Sequence, residues 1–406
     1  MAAPPELPES TEILIVGAGA TGLALAATLA ARGRSFAIID KLPERSNFSR
    51  AIGTIPLTLE MLQPLGVAEQ LAGMGNRARL ARFYSGDRDR EFVKVRFDRL
   101  STRFPYVLLM PQHFTETVLE TRLRELNGAE VHRPYVLAGI EQDGKGVVAT
   151  VTGAGPGEGE TRTIRADYVV GADGARSTVR ELLAVRFPGD TCRQTFMLHD
   201  LRLKDGPPND EIQMFCSRLG AVTMGAIPPG IVRATISVDD PPASPQGPTV
   251  AQVQALIDER APAHYRPEVL EVLHSGRSRV HHRLADRFRV GRVFLAGDAA
   301  HSNSPVSGQG MNLGIQDGII LGDLLATSLA TGRDLLDDYE RRRRPIAKEA
   351  IGMTRRMHQI STEAGPVTGG LRDRLFPLAN LSVLNRRVAY QLSGLGRRPV
   401  AAIQKS

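Results

Sequence analysis

Three carboxylates stand at matching places in this chain. Asp40 closes the apolar run Phe36-Ala37-Ile38-Ile39, Asp173 follows Tyr168-Val169-Val170-Gly171-Ala172, and Asp298 follows Val293-Phe294-Leu295-Ala296-Gly297. Each run reads as a buried strand. Small residues just before Asp173 and Asp298 let backbone approach a ligand closely. An Asp at the carboxyl end of a strand sits where open α/β sheets bind cofactors.

The elements that must position these groups begin near the N-terminus. Ile13-Leu14-Ile15-Val16 is a short apolar strand, and Gly17-Ala18-Gly19-Ala20-Thr21-Gly22 follows as G-x-G-x-x-G. The stretch Leu23–Ala31 then reads as a helix closed by Gly33. The glycines Gly17, Gly19 and Gly22 allow a tight turn, close approach to a pyrophosphate and close helix–strand packing. With Ala20 and Thr21 opening the helix, its N-terminus supplies N–H donors and a positive dipole end. Asp40, next to Lys41, lies about 20 positions on and is placed for ribose hydroxyls. Strand, helix and acid in register bind a dinucleotide, but do not separate FAD from NAD.

Two further segments do. Asp167–Arg180, with the core Gly171-Ala172-Asp173-Gly174-Ala175-Arg176, and Gly297–His301, with Pro305 and Gly308-Gln309-Gly310-Met311-Asn312, are two fingerprints far apart in the chain. With the first glycine loop they point to FAD. The chain resembles single-component FAD-dependent monooxygenases of the para-hydroxybenzoate hydroxylase type, in the branch that hydroxylates phenols and aromatic polyketides. Residues 11–345 follow that pattern almost throughout, and the tail to residue 395 follows it loosely.

The resemblance implies a fold and a set of roles. The fold is α/β: a Rossmann-like FAD-binding domain with a glutathione-reductase-like parallel sheet, an interleaved antiparallel-sheet substrate domain, and C-terminal helices. Gly297 and Asp298 are expected to meet the ribityl chain, and Gln112 the ribityl or phosphate region. Arg50 is expected near the pyrophosphate and isoalloxazine. Asp173, Gly174 and Arg176 serve structure and cofactor together, with Ser177 and Arg180 capping or ion pairing. Pro305, Gly308, Gly310, Met311 and Asn312 form the flavin-ring environment, where helix N–H groups stabilise negative charge on reduced flavin. Ser304 stands where the family often has a second proline. NADH or NADPH is expected to dock transiently, because no second G-x-G-x-x-G exists. O2 supplies the oxygen that reaches an electron-rich ring. The cofactor does the hard chemistry, so no protein nucleophile is required, and no G-x-S-x-G is present.

Bulk properties agree. The 406 residues suffice for two or more domains, and 42% hydrophobic with 23% charged residues is a globular composition. The start Met1–Glu6 lacks a basic, apolar leader, and no apolar run is expected to reach membrane-spanning length. Cytoplasmic solubility is therefore expected. Cys192 and Cys216 form no CxxC and read as buried thiols. The nine histidines form no metal cluster, and neighbours His281 and His282 would point to opposite faces of a strand. Net charge is +7, but the basic residues are scattered, so no nucleic-acid partner is expected. The run Arg341–Arg344 reads as a solvated helix end. The expected partner is a small aromatic substrate, with the chain a monomer or homodimer and no stable membrane association. Many close relatives of this type carry a thioredoxin-like C-terminal domain. No such domain is expected in these 406 residues, and the chemistry is expected not to need it.

Organisation follows from patterning. Residues 1–78, 106–185 and 286–345 are expected to build the FAD domain, 79–105 and 186–285 the substrate domain, and 346–406 a helical region. Helices are expected near 113–126 and 249–260, hairpins at 80–97 and around the turn 153–159. Leu313, Ile320 and Leu324 share one face of a core helix. Tyr84, His199, Gln213, Met214 and Met224 lie on candidate cavity strands, each fitting core or surface better than catalysis. Three outcomes stay open besides hydroxylation: Baeyer–Villiger or epoxidising oxygenation, double-bond reduction, and an FAD-binding protein without turnover. A halogenase is disfavoured, because the chain has no Trp for that branch's motif.

Overall fold

The run Ile13–Val16 is apolar at every position because both faces of its strand are covered, as parallel sheets require. In the computed structural model, which describes residues 6–46, 51–154, 159–239, 247–303, 308–362 and 376–397, strand Ser10–Val16 is an inner strand of a seven-stranded sheet. Phe36–Ile39 and Thr161–Gly171 pair with it in parallel, and Val293–Leu295 joins Thr161–Gly171 in parallel. The three acidic residues therefore emerge at one edge. Antiparallel strands Val147–Gly153 and Tyr135–Gln142 extend the sheet. The first of these pairs across the 153–159 turn, whose tip lies outside the described residues.

Helix Ala20–Ala31 is buried on nearly every side. Its neighbour, helix Gly310–Thr331, packs on it through small residues at four-residue spacing. A Cβ at Gly314 would meet Thr21 Oγ1 at 2.2 Å, at Gly318 the Thr21 carbonyl at 2.5 Å, and at Gly322 Thr28 at 2.9 Å. Only glycine permits this approach. Leu313 and Leu324 are buried on this helix, while Ile320 is half-buried. Contrary to the sequence expectation, the helix is by length and composition apolar enough to cross a membrane, with 22 residues and a mean hydropathy of 1.3. Its apolarity belongs to the core instead, since 72% of that window is buried inside the fold.

A second, eight-stranded sheet runs in the order His301–Ser302, Glu268–Leu284, Gly189–Lys204, Ile231–Val238, Gly220–Ile227, Glu211–Ser217, Leu80–Ser85, Arg90–Arg96. The hairpin at 80–97 is thus the outer edge of the substrate-side sheet. The sheet is not purely antiparallel, because Leu80–Ser85 joins Glu211–Ser217 in parallel. Helix Val250–Asp258, opened by a Thr249–Gln252 capping box, covers its back. A three-stranded sheet of Gly53–Thr54, Val107–Leu109 and Asn76–Ala78 joins the two halves.

The arginine run departs from expectation. Arg341–Arg344 lies in the opening turns of helix Asp337–Thr362, where Arg341 is solvated as expected but Arg343 is buried, and Pro345 sits inside that helix. Arg343 is buried against Asp317, and Arg344 donates to the Ala285 carbonyl at 3.1 Å. A buried carboxylate on the core helix demands a cation, and Arg343 supplies it.

Candidate active site

The first two glycines of the loop do different jobs. Gly17 has φ of 108°, and a Cβ there would sit 2.4 Å from the Ala172 carbonyl, so the loop is wedged against the strand that ends in Asp173. Gly19 faces open space, its nearest neighbour being Glu116 Oε1 at 3.8 Å. Gly22 serves helix packing, with its Cβ position 1.9 Å from the Gly17 carbonyl. Asp40 accepts from Ala18 N at 2.7 Å and Leu42 N at 2.8 Å, which fixes its carboxylate beside the loop.

Glu116 is a site residue that the sequence reading missed. It accepts from Ala20 N at 3.2 Å, at the start of the first helix, and from Gln112 Nε2 at 2.8 Å. Burial raises its pKa above the ordinary carboxylate range, against the pull of those two donors. Helix Gln112–Asn127 thus brings Gln112 and Glu116 together on one face. The Gln–Glu spacing of four was readable as a helical pair.

The Asp-Gly and Gly-Asp fingerprints are stitched together by side chains. Asp173 accepts from Ser177 Oγ at 2.5 Å and Val179 N at 3.2 Å, and burial still pushes its pKa up. Ser177 caps helix Thr178–Leu182. Arg180 forms carbonyl contacts rather than an ion pair. It donates to Ala175 O at 2.9 Å and, across the two fingerprints, to Ala299 O at 3.0 Å. Phe187 lies under its guanidinium at 4.0 Å.

Asp317 anchors the third loop. It accepts from Gly297 N at 3.1 Å, His301 Nε2 at 2.6 Å and Arg343 Nε, all three residues being buried. Burial alone would raise this carboxyl, but Arg343 and His301 outweigh it and hold the pKa below the usual range. Gly297 has φ of 60° and packs on Thr21, whose Oγ1 would lie 2.5 Å from an added Cβ. Asp298 is left exposed on the wall of the cavity below.

These loops open onto one cavity of about 660 Å³, within the range of small-molecule and cofactor sites. Gly17, Gly19, Ala20, Thr21, Asp40, Lys41, Gln112, Asp173, Gly174, Asp298, Gly308, Gly310 and Met311 all line it. Asn312 does not: it is buried, donating to Gly53 O and Gly308 O and accepting from Ile55 N. Arg50 and Pro305 lie outside the described residues.

The opposite wall is the larger sheet. Strand register places Ala81, Ile212, Gly225 and Arg233 in one row and Phe83, Met214, Thr223 and Thr235 in the next, all lining the cavity. Alternation sends the intervening residues to the back. Tyr84, His199 and Gln213 therefore point away, whereas Met214 faces inward and Met224, packed in the core cluster, still contributes to the lining. His199 is wholly buried, bonded through Nδ1 to Ser275 Oγ at 2.8 Å, and burial drops its pKa to about 4. Arg233 is the cation of this wall. It is buried and paired with Asp200 on the adjacent strand, at 2.5 and 3.0 Å. At the rim, His281 accepts from or donates to Thr191 Oγ1 and is held below its usual pKa by burial and by Arg283, Arg279 and Arg176. His282 is buried on the other face. The C-terminal region adds Met357 and Leu392 to the lining, which no sequence signal indicated.

The residues fit a flavin dinucleotide. Gly19 and Gly174 leave open space against backbone, Gly174 with φ of 82° and no atom near its Cβ position. Asn303 Nδ2, buried at the cavity beside Gly310, finds no partner among the described residues and is a donor awaiting an acceptor. The first turn of helix Gly310–Thr331 opens into the same space. The FAD-binding domain family matches residues 10–354 of the chain. The protein belongs to that family. It is 35% identical to the anhydrotetracycline monooxygenase of Streptomyces rimosus over 404 residues, covering 96% of this chain and 78% of that relative. It is 30% identical to the pentachlorophenol 4-monooxygenase of Sphingobium chlorophenolicum, covering 94% and 70%. Its fold matches the crystal structure of the p-nitrophenol 4-monooxygenase of Pseudomonas putida DLL-E4 with a TM-score of 0.87, at 24% identity and 97% and 100% coverage. The protein is thus an FAD-dependent monooxygenase, using NAD(P)H and O2.

Proposed function

We propose that this monooxygenase hydroxylates a phenolic or polyketide-like aromatic substrate, held between the sheet wall and the flavin ring. The observation that carries this is the continuity of one cavity, from the glycine loop at one end to an apolar sheet face bearing a single buried guanidinium at the other. The relatives' named substrates, anhydrotetracycline and pentachlorophenol, support a ring carrying an acidic hydroxyl.

The chain's own groups divide the work. Gly17, Gly19, Ala20 and Thr21 hold the pyrophosphate on the helix dipole. Asp40 and Lys41 take the adenosine ribose, and Gln112 and Asp298 the ribityl side. Asp173, Gly174 and the rim cations Arg176 and Arg279 serve FAD and the visiting NAD(P)H. Backbone N–H groups at Gly310, Met311 and Asn312 face negative charge at the ring. Bound FAD supplies hydride acceptance and oxygen activation. Phe83, Met214 and Leu392 exclude water and fix the substrate ring. Arg233 meets the substrate oxygen and favours its ionised form. Arg50 and Pro305 keep their sequence-based assignments at the pyrophosphate and the ring. The enzyme acts in the cytoplasm, as a monomer or homodimer.

The test is a screen of phenols and polyketide-like quinols for substrate-stimulated NAD(P)H oxidation, with mass analysis of products. The expected product gains one oxygen on the ring. Oxygen inserted into a ring C–C bond would replace this reading with a Baeyer–Villiger one.

A further inference from the structure

The helix whose first turn lines the cavity is capped from an unexpected direction. Gln309, its N-cap residue, is fully buried. Its Nε2 donates to the Leu392 carbonyl at 3.2 Å, and its Oε1 accepts from Arg397 Nη1 at 3.1 Å. Both ends of the amide are therefore held by the turn that follows helix Ser382–Leu392. The same turn grips the other side of the segment. Leu57 N donates to the Ser393 carbonyl at 3.2 Å, and Gly394, with φ of 74°, packs so close that an added Cβ would lie 2.9 Å from Ile55 Cδ1. Ile55 N in turn donates to Asn312 Oδ1 at 3.0 Å. Gln309 and Asn312 flank Gly310 and Met311, so the C-terminal turn holds both shoulders of the flavin-ring segment.

We propose that Arg397 is a positioning residue for the flavin-ring helix, acting through Gln309 from outside the FAD-binding domain. A guanidinium donor to a buried amide makes a charge-assisted bond, stronger and more directional than a neutral one. The side chain of Arg397 is 7% exposed, with Glu349 Oε1 at 3.5 Å balancing its charge. Its outer face forms part of a surface groove of about 880 Å³, shared with Glu349, Arg387 and Tyr390. A truncated side chain would leave a slot reachable from that groove.

This inference rests on the reading of Gly310–Asn312 as the flavin-ring contact, and the experiment separates the two. Arg397→Ala and Arg397→Lys are compared with wild type by amide exchange across residues 310–313 in the apoprotein, by FAD affinity from flavin fluorescence, and by the midpoint potential of bound flavin. Arg397→Ala is expected to exchange faster there and bind FAD about ten-fold more weakly. Arg397→Lys should fall between, millimolar guanidinium should restore the Ala variant, and Arg387→Ala in the same groove should match wild type. Unchanged exchange in Arg397→Ala overturns the clamp. Faster exchange with unaltered FAD affinity and potential overturns the ring-contact reading. A Lys variant no better than Ala, with no rescue by guanidinium, overturns the role of the cation.

Discussion

The two walls of the cavity are built on opposite principles. The cofactor wall is made of backbone: glycine loops, a helix N-terminus, and carboxylates such as Asp40, Asp173 and Asp317 that brace loops against one another. The sheet wall is made of side chains on an alternating strand face, apolar at its centre apart from Arg233, Thr223 and Thr235, with Ser278, Arg279 and His281 at its rim. Backbone geometry tolerates few residue types, whereas a packed apolar face tolerates many of similar volume. The first wall is therefore fixed for one ligand, and the second can be resurfaced for another.

The contrast can be broken at several points. The largest effect is expected at Asp317. Asp317→Asn leaves Arg343 buried without its counter-ion and should cost about 3–5 kcal/mol of stability, read by thermal or denaturant unfolding. Because the folded-state pKa lies below the ordinary aspartate value, Asp317 stabilises the fold at all pH above that ordinary value. That contribution disappears as pH falls through the lower, folded-state pKa, so the Asn variant should show a flatter acid limb. A steep limb retained in the variant would assign acid sensitivity elsewhere.

Loss of an interaction with a charged group costs about 1.5–3 kcal/mol, so Asp298→Ala should purify mostly as apoprotein. Full flavin absorbance in that variant would remove Asp298 from the cofactor wall. Gly318→Ala places a methyl group against the Thr21 carbonyl, and overpacking of this kind costs about 1–3 kcal/mol. The loss should appear as a lowered melting temperature together with weaker FAD binding, since Thr21 lines the cavity. On the sheet wall, Arg233→Met strips Asp200 of its counter-ion, but Asp200 is partly exposed, so the stability loss should be smaller than in Asp317→Asn and flavin content should be retained. It should raise KM for ionised phenols about ten-fold more than for neutral analogues, an increment of about 1.4 kcal/mol. Equal changes for both would make Arg233–Asp200 a strut rather than a substrate contact. The smallest effect is expected at the rim: Arg176→Ala should raise KM for NAD(P)H a few-fold at low ionic strength and little in high salt.

The same contrast explains what the chain disclosed before folding. The cofactor wall was legible because its requirements fall on residue types at fixed spacings: Gly17, Gly19 and Gly22, and the Asp after a short strand. The described residues assigned to FAD from those motifs line the cavity except Gly22, Gly297 and Asn312, which brace it from behind, and Arg176, which is exposed outside the lining. The sheet wall was illegible because period-two strands reveal alternation but not which face is which. A lone Arg233 within Val232-Arg233-Ala234 was the available clue. Within Arg341–Arg344, Arg343 was misjudged because a charge run looks solvated until its buried partner, 26 positions away, is placed. The roles of Met357, Leu392 and Arg397 depend on long-range docking that carries no local pattern.

Thr21 touches both Gly297 and Gly314, nearly three hundred positions later in the chain. The pocket for the dinucleotide therefore has no existence in a partly synthesised polypeptide. During translation, the opening β-α unit must wait, its apolar helix uncovered, until residues 297–322 emerge from the ribosome. Flavin can enter only after that long-range closure, so for this protein capture of the prosthetic group is a late event in folding, and a chaperone shielding residues 20–31 in the interval would raise the yield of yellow protein.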